Sequence, residues 1–282
     1  MNATPSLPGH DLDERVAEAV RAVHERSPSP PRIAITLGSG LGGLAETLEG
    51  AVPIPTADIP HWPRSTVAGH AGRLVLGRWK DVSLVMLAGR SHRYEGYGLD
   101  RVTFGVRVMH ALGARTMIFT SAVGAVNPEF VPGDLVLATD HINWIGKRGL
   151  FGPGELVERR AGRRVAACYD PELAEALRGA AESAGVLLRR GVLLGGQGPS
   201  YETAAEIEFA RAVGVDVVCM STVHEVTVAA HLGCRVASLS CVTNRATGLS
   251  ERPLTHDEVT EVATRVTARL RALLAEWLEG VA

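Results

Sequence analysis

Short apolar runs that end in small residues, each followed by a stretch of helical periodicity, recur along almost the whole of this 282-residue chain. The first is Ile33 to Leu37, closing in Gly38-Ser39-Gly40. Further strand runs are predicted at 73–78, 82–88, 115–120, 134–139, 186–195, 216–219 and 234–242. Helical patterns fall at about 100–112, 171–184, 203–213, 222–232 and 256–279, and one more over 11–26 stops at the Pro28, Pro30, Pro31 cluster. Strands that alternate with helices in this way specify an α/β fold: a mixed, largely parallel central sheet with helices on both faces.

Two stretches break the cadence. Residues 50–72 are rich in Pro, Gly and His, and residues 141–169 are polar and irregular. Structureless loops longer than about 12–15 residues are uncommon in compact domains and are usually functional or mobile. Both are therefore expected to be active-site loops. No repeat or composition shift marks a second unit, so residues 1–282 are expected to form a single domain that begins with an N-terminal helix within 1–30.

Composition removes several classes of function. A net charge of −2 supplies no basic surface for a nucleic-acid backbone. No run of about 18 apolar residues exists, so no membrane span is expected. Met1 to Pro8 lacks a basic region leading into an apolar core, which argues against a secretory signal. Cys168, Cys219, Cys234 and Cys241 form no CxxC pair, and three of them lie in apolar runs, so they are read as reduced structural thiols of a cytoplasmic protein. No HExxH motif, His-rich cluster or carboxylate cage is present, so no metal is expected.

Five segments can carry chemistry. LGSGLGGL, Leu37 to Leu44, offers glycine amides, a helix start and the Ser39 hydroxyl, a combination suited to an anion. Its spacing fits GxGxxG, but no acidic residue follows a second strand about 20 positions on, so a dinucleotide site is not indicated. In AGRSHRYEGY, Arg90 and His92 stand two residues apart just past a strand, where an extended backbone aims both at one oxyanion. The plainer alternative there is an exposed basic loop over Tyr94. In TSAVGAVNPEFVPGD, small residues leave backbone amides around Ala122 open to a ligand, or form only a turn.

GPSYETAAE puts Tyr201 and Glu202 at a helix start that Ser200 or Thr203 can cap, so Glu202 is either a ligand carboxylate or a first-turn charge favoured by the helix dipole. Downstream, Met220-Ser221 sits between a strand and a helix, as an anion site or a plain cap. Asn244 ends the apolar run of CVTNRATGLS, the usual place for a specificity residue in an α/β sheet, and His256 opens the last helix. A stacking aromatic, an acceptor, an amide and anion-binding hydroxyls together suit a heterocyclic base held beside an oxyanion.

In this order the segments resemble the purine nucleoside phosphorylases of the homotrimeric, 6-oxopurine type. The resemblance covers nearly the whole chain and is carried by VAGHAGRLVLG, GRSHRYEGY, GPSYETAAE, MSTVHEV and VTN. It implies that Ser39, Arg90, His92, the Ala122 amide and Ser221 hold phosphate, with His70 closing over it. It also implies that Tyr94 and Met220 contact the ribose, that His256 meets the 5′-hydroxyl, and that Tyr201 packs on the purine. Glu202 would accept from the ring NH and the amino group, and Asn244 would bond the 6-oxo and N7 side. Asn244, Glu202 and His92 are then the catalytic residues. Phosphate is a co-substrate, no cofactor is required, and a homotrimer acting on inosine and guanosine is implied.

The chain departs from the family at three places. Val165 stands where an aromatic of the neighbouring subunit usually covers the ribose, Ser121 replaces an asparagine, and His224 replaces a proline. Two rivals stay open: a methylthioadenosine phosphorylase of the same fold, against which Asn244 and His256 speak, and a non-catalytic purine-binding protein.

Overall fold

The computed structural model describes residues 8–67, 72–146, 150–151, 168–249 and 256–281. Among them nine strands form one mixed sheet: β1 (Ile33–Leu37), β2 (Glu49–Pro55), β3 (Arg73–Trp79), β4 (Val82–Ala88), β5 (Thr116–Ala125), β6 (Leu135–Asn143), β7 (Leu188–Gly195), β8 (Val217–Cys219) and β9 (Arg235–Arg245). The helices are α1 (Pro8–His24), α2 (Leu99–Val102), α3 (Phe104–Ala111), α4 (Pro171–Ser183), α5 (Ala204–Ala212), α6 (Val223–His231) and α7 (His256–Glu279). No described helix is long and apolar enough to cross a membrane.

Strand β4 runs parallel to β1, β1 to β5 and β5 to β9, while β2 and β3 add antiparallel at one edge. Strand β8 pairs antiparallel with β5, then β7, β6 and β9 follow in turn, and β9 pairs back onto β5. The sheet therefore closes on itself over these strands, removing their exposed edges.

Burial explains why β1 and β4 read as unbroken apolar runs. Ile33, Ile35 and Leu37 of β1, with Leu84, Met86 and Ala88 of β4, join the core that also holds Leu270 and Leu274 of α7. Ala34, Val85 and Leu87, one residue out of phase, join the opposite core with Phe104 and Met109 of α3. Strands covered on both faces need apolar residues at both phases of the period-two repeat.

The predicted elements are present, with boundary shifts and three corrections. Residues 50–72 are not one loop. Glu49–Pro55 forms edge strand β2, whose Pro53 and Pro55 hid it, since proline is tolerated in sheets chiefly at an edge. The rest of that stretch is pinned as far as Thr66: Trp62 meets the Phe104 ring edge-on at 5.9 Å, and Tyr97 Oη donates to the Arg64 carbonyl at 2.8 Å. The glycine segment after β1 opens a six-residue 3₁₀ turn, Gly42–Thr47, and no α-helix, because paired glycines disfavour helix and Leu48 is already extended. The expected helix at 100–112 divides at Thr103, whose hydroxyl bonds the Leu99 carbonyl at 2.7 Å. Of the predicted loop 141–169, residues up to Asn143 extend β6, and 147–149 with 152–167, including Val165, lie outside the described residues.

Phe104 is 1 % exposed and ties α3 both to the sheet and to the Trp62 segment. Phe104→Ala is expected to lower stability by about 3–5 kcal/mol, measured as the shift of a urea unfolding curve. A loss below about 1 kcal/mol would mean that the Trp62 anchor is not structural.

Candidate active site

Strands β4, β1, β5 and β9 are mutually parallel, so their carboxyl ends open on the same edge of the sheet, where α/β proteins place ligands. A cavity of about 130 Å³ that opens to solvent lies there. It is lined by Ser39, Arg90, His92, Tyr94, Ala122, Tyr201, Glu202, Met220, Ser221 and Asn244. Residues spread over more than two hundred positions of sequence are thus gathered round one space. His70 lies outside the described residues; His256 opens α7 in the backbone, and its side chain is likewise outside them.

Beyond β1, Gly38 lets the chain pass close to β5: a Cβ there would stand 2.9 Å from the Ser121 Cα, and the Gly38 N–H bonds Thr120 Oγ1 at 3.0 Å. Ser39 follows directly and reaches the cavity. Arg90 and His92 follow β4 and are 5 % and 7 % exposed, which rules out the exposed basic loop. Arg90 Nη2 donates to the Thr120 carbonyl at 2.8 Å, Nη1 donates to Ser221 Oγ at 3.2 Å, and Nε lies 3.2 Å from Glu225 Oε2. The His92 ring stacks on Tyr94 at 4.8 Å.

Glu95 orients His92. Its carboxylate accepts from the His92 N–H at 2.6 Å and from the Thr66 N–H and hydroxyl at 2.5 and 2.8 Å, with His92 Nδ1 at 3.3 Å. Burial alone would raise the Glu95 carboxyl, but the Thr66 and His92 hydrogen bonds outweigh it and hold it below its ordinary value. Burial and the adjacent Glu95 carboxylate push the Tyr94 phenol up to about 12, so it stays a neutral donor.

Ala122 lies within β5 rather than in a turn beyond it, since the strand continues to Ala125. Across from it, β9 carries one extra residue: Val123 is level with Val242, and Gly124 with Asn244. This irregularity at Thr243 re-aims the strand end. The Thr243 hydroxyl donates to Asn244 Oδ1 at 2.8 Å and Asn244 Nδ2 donates to the Arg245 carbonyl at 3.0 Å, so the amide is fixed beside Gly124.

Thr203, not Ser200, caps α5, in a reciprocal box with Glu206. The first-turn charge is therefore Glu206, and Glu202 stands before the cap with its carboxylate facing Gly196. Burial raises the Glu202 carboxyl above its ordinary value. Tyr201 is 46 % exposed at the cavity rim and is no core aromatic.

Strand β8 runs against β5, which carries Met220 and Ser221 back toward the cavity. Thr222 then takes φ 65° and ψ −55°, and the Val223 N–H bonds the Ser221 carbonyl at 2.7 Å. This is a γ-turn of the rare positive-φ kind on a β-branched residue, a conformation costing about 1–3 kcal/mol. Ser221 thus precedes the helix cap instead of being one.

Sequence reading gave no role to Thr222, Thr243 and Glu225, although they stand inside MSTVHEV and VTN, because each acts on a neighbouring protein group. It also left Ser121 and His224 unexplained. Ser121 is buried, and its hydroxyl meets that of Ser240 at 3.0 Å across β5 and β9. His224 is wholly buried; burial, with Arg90 and His92 nearby, lowers its pKa to about 3, so it is neutral. Neither ring nitrogen has a hydrogen-bond partner among the described residues.

The phosphorylase superfamily model matches residues 32–279. Purine nucleoside phosphorylase 1 of Bacillus subtilis is 44 % identical over 94 % of this chain and 100 % of its own length. This chain belongs to the purine nucleoside phosphorylases of the phosphorylase superfamily. The rat purine nucleoside phosphorylase is 38 % identical over 95 % of this chain and 94 % of its own. Purine nucleoside phosphorylase of Schistosoma mansoni, solved with adenosine, superposes with a TM-score of 0.87 at 32 % identity, covering 95 % of this chain and 98 % of the other. A Schistosoma mansoni purine nucleoside phosphorylase solved with inosine gives 0.86 at 31 % identity, over 94 % of this chain and 96 % of the other.

In this enzyme Gly198 has a φ of 63°, and a Cβ on it would stand 2.5 Å from Met220 Sδ and 2.8 Å from the Tyr94 ring. Gly198→Ala is expected to push both side chains into the cavity and to raise the nucleoside KM about tenfold, an overpacking effect of about 1–3 kcal/mol. Steady-state kinetics beside a melting curve checks this, and an unchanged KM would show that the two side chains do not meet the substrate.

Proposed function

We propose that this purine nucleoside phosphorylase cleaves 6-oxopurine nucleosides, inosine and guanosine with their 2′-deoxy forms, by attack of inorganic phosphate on the anomeric carbon. The products are the free base and ribose 1-phosphate, as purine salvage in the cytoplasm requires. The observation that carries the reading is the single cavity shared by the cationic Arg90 group and the Glu202–Asn244 pair.

Each group has a task set by charge. Phosphate is held by Arg90, His92, Ser39, Ser221 and the Ala122 amide, with His70 covering it. Tyr94, Met220 and His256 hold the ribose, and Tyr201 covers the base. As the glycosidic bond stretches, the ribose becomes cationic and the bound phosphate is both its nucleophile and its counter-charge. The departing purine gathers negative charge, which the Asn244 amide donor offsets. A preorganised donor of this kind contributes about 2.7–4 kcal/mol to the transition state. Neither a covalent enzyme intermediate nor a cofactor is called on, and a homotrimer is the proposed assembly.

Specificity rests on hydrogen-bond sense. An ionised Glu202 accepts from the ring NH of hypoxanthine or guanine; adenine presents a lone pair at that position. Sites built on hydrogen bonds reject a mismatched analogue strongly. Base release from inosine is expected to require phosphate and to exceed release from adenosine, with Asn244→Asp moving the preference toward adenosine. Adenosine turned over as efficiently as inosine by the native protein would sink the specificity, and release without phosphate would mean a hydrolase.

Because burial raises Glu202, its carboxylate is lost on acidification at a higher pH than an ordinary glutamate's. The inosine KM should therefore climb as pH falls through that raised value, and Glu202→Gln should flatten the climb. A pH profile of kcat/KM for both proteins measures this; identical profiles would remove Glu202 from base recognition.

A further inference from the structure

Glu225 lies in the first turn of α6, is 2 % exposed and does not line the cavity. A carboxylate buried this deeply is retained only with strong partners. One is the Arg90 guanidinium, an ion-pair partner whose Nε stands 3.2 Å from Glu225 Oε2 without hydrogen-bond geometry. The second is the backbone N–H of Thr222, the residue at the centre of the positive-φ turn. Burial raises the Glu225 carboxyl above its ordinary value, while Arg90 and the Thr222 N–H pull against that rise.

The two partners belong to different parts of the chain. Arg90 follows β4, and Thr222 follows β8 and carries Ser221, which accepts from Arg90 Nη1 at 3.2 Å. A guanidinium has a planar fork of donors, so fixing its Nε edge fixes the direction of the other two nitrogens. A strained turn persists only where its surroundings hold it.

We propose that Glu225 is a positioning residue for the anion subsite, clamping the Nε edge of Arg90 and the Thr222 turn at once, so that the guanidinium and the Ser221 hydroxyl meet phosphate in a fixed geometry. The inference rests on the phosphate role proposed above for Arg90 and Ser221. It assigns to Glu225 the alignment of the nucleophile and no contact with it.

The test is calorimetric titration of inorganic phosphate into the full-length protein, its Glu225→Gln variant and its Thr222→Gly variant, with the inosine KM and the melting temperature of each. Glu225→Gln keeps the shape and an acceptor for Thr222 but removes the charge facing Arg90. Its phosphate affinity should fall about tenfold or more, while the inosine KM at saturating phosphate stays within about twofold, a split that general loosening does not produce. Thr222→Gly suits the positive φ; it also removes a buried hydroxyl that meets Ser221 Oγ at 3.0 Å, and by freeing the turn it too should weaken phosphate binding while the inosine KM at saturating phosphate stays within about twofold. Should Glu225→Gln fail to fold, this second variant decides. Native phosphate affinity in both variants, or equal losses for phosphate and inosine, overturns the clamp. A native protein that cleaves no inosine and binds no phosphate refutes the reading of the subsite itself, and the inference falls with it.

Discussion

Four strands running the same way decide where chemistry can happen in this molecule. Strands β4, β1, β5 and β9 lie side by side and parallel, and each delivers a side chain or an amide in or just past its carboxyl half: Arg90, Ser39, Ala122 and Asn244. A shift of one residue in the β5–β9 register would reverse which side chains face the cavity. The extra residue at Thr243 does this locally and on purpose, turning Asn244 toward the space that a regular strand would deny it.

Around that frame, polar groups set one another. Arg90 is held by a carbonyl, a hydroxyl and a carboxylate, and His92 is held by Glu95. Protein groups thus already orient Arg90 and His92, which limits the entropy lost on binding. The positive-φ backbone at Thr222 has a conformational cost that only a packed surrounding sustains.

The strand and helix cadence was legible because period-two and period-3.6 apolar patterns report burial directly, and the described candidate residues, Ser39 through Asn244, converge as the motifs implied. Three kinds of information were not legible. Edge strand β2 carries prolines that read as loop. The curling of the sheet depends on the pairing of β9 with β5 and β6, which no local pattern encodes. Supporting residues such as Glu225, which does not line the cavity, and Thr243, whose hydroxyl bonds Asn244, work through other protein groups, so their residue types alone suggest a helix charge and a strand hydroxyl. For His224, a neutral imidazole buried where the family has proline, the structure supplies a location but no role.

The closed run of strands also bears on how the chain reaches this state. Thr116 of β5 is level with Arg235 of β9, so the pairing that brings Asn244 to the cavity joins segments more than a hundred residues apart. Contacts of such separation form late and slowly, because the loop between them must be ordered first. Until β9 docks, Asn244 is missing from the cavity that Arg90, His92 and Ser39 line. Activity regained during refolding is thus a reporter of the last long-range strand to arrive.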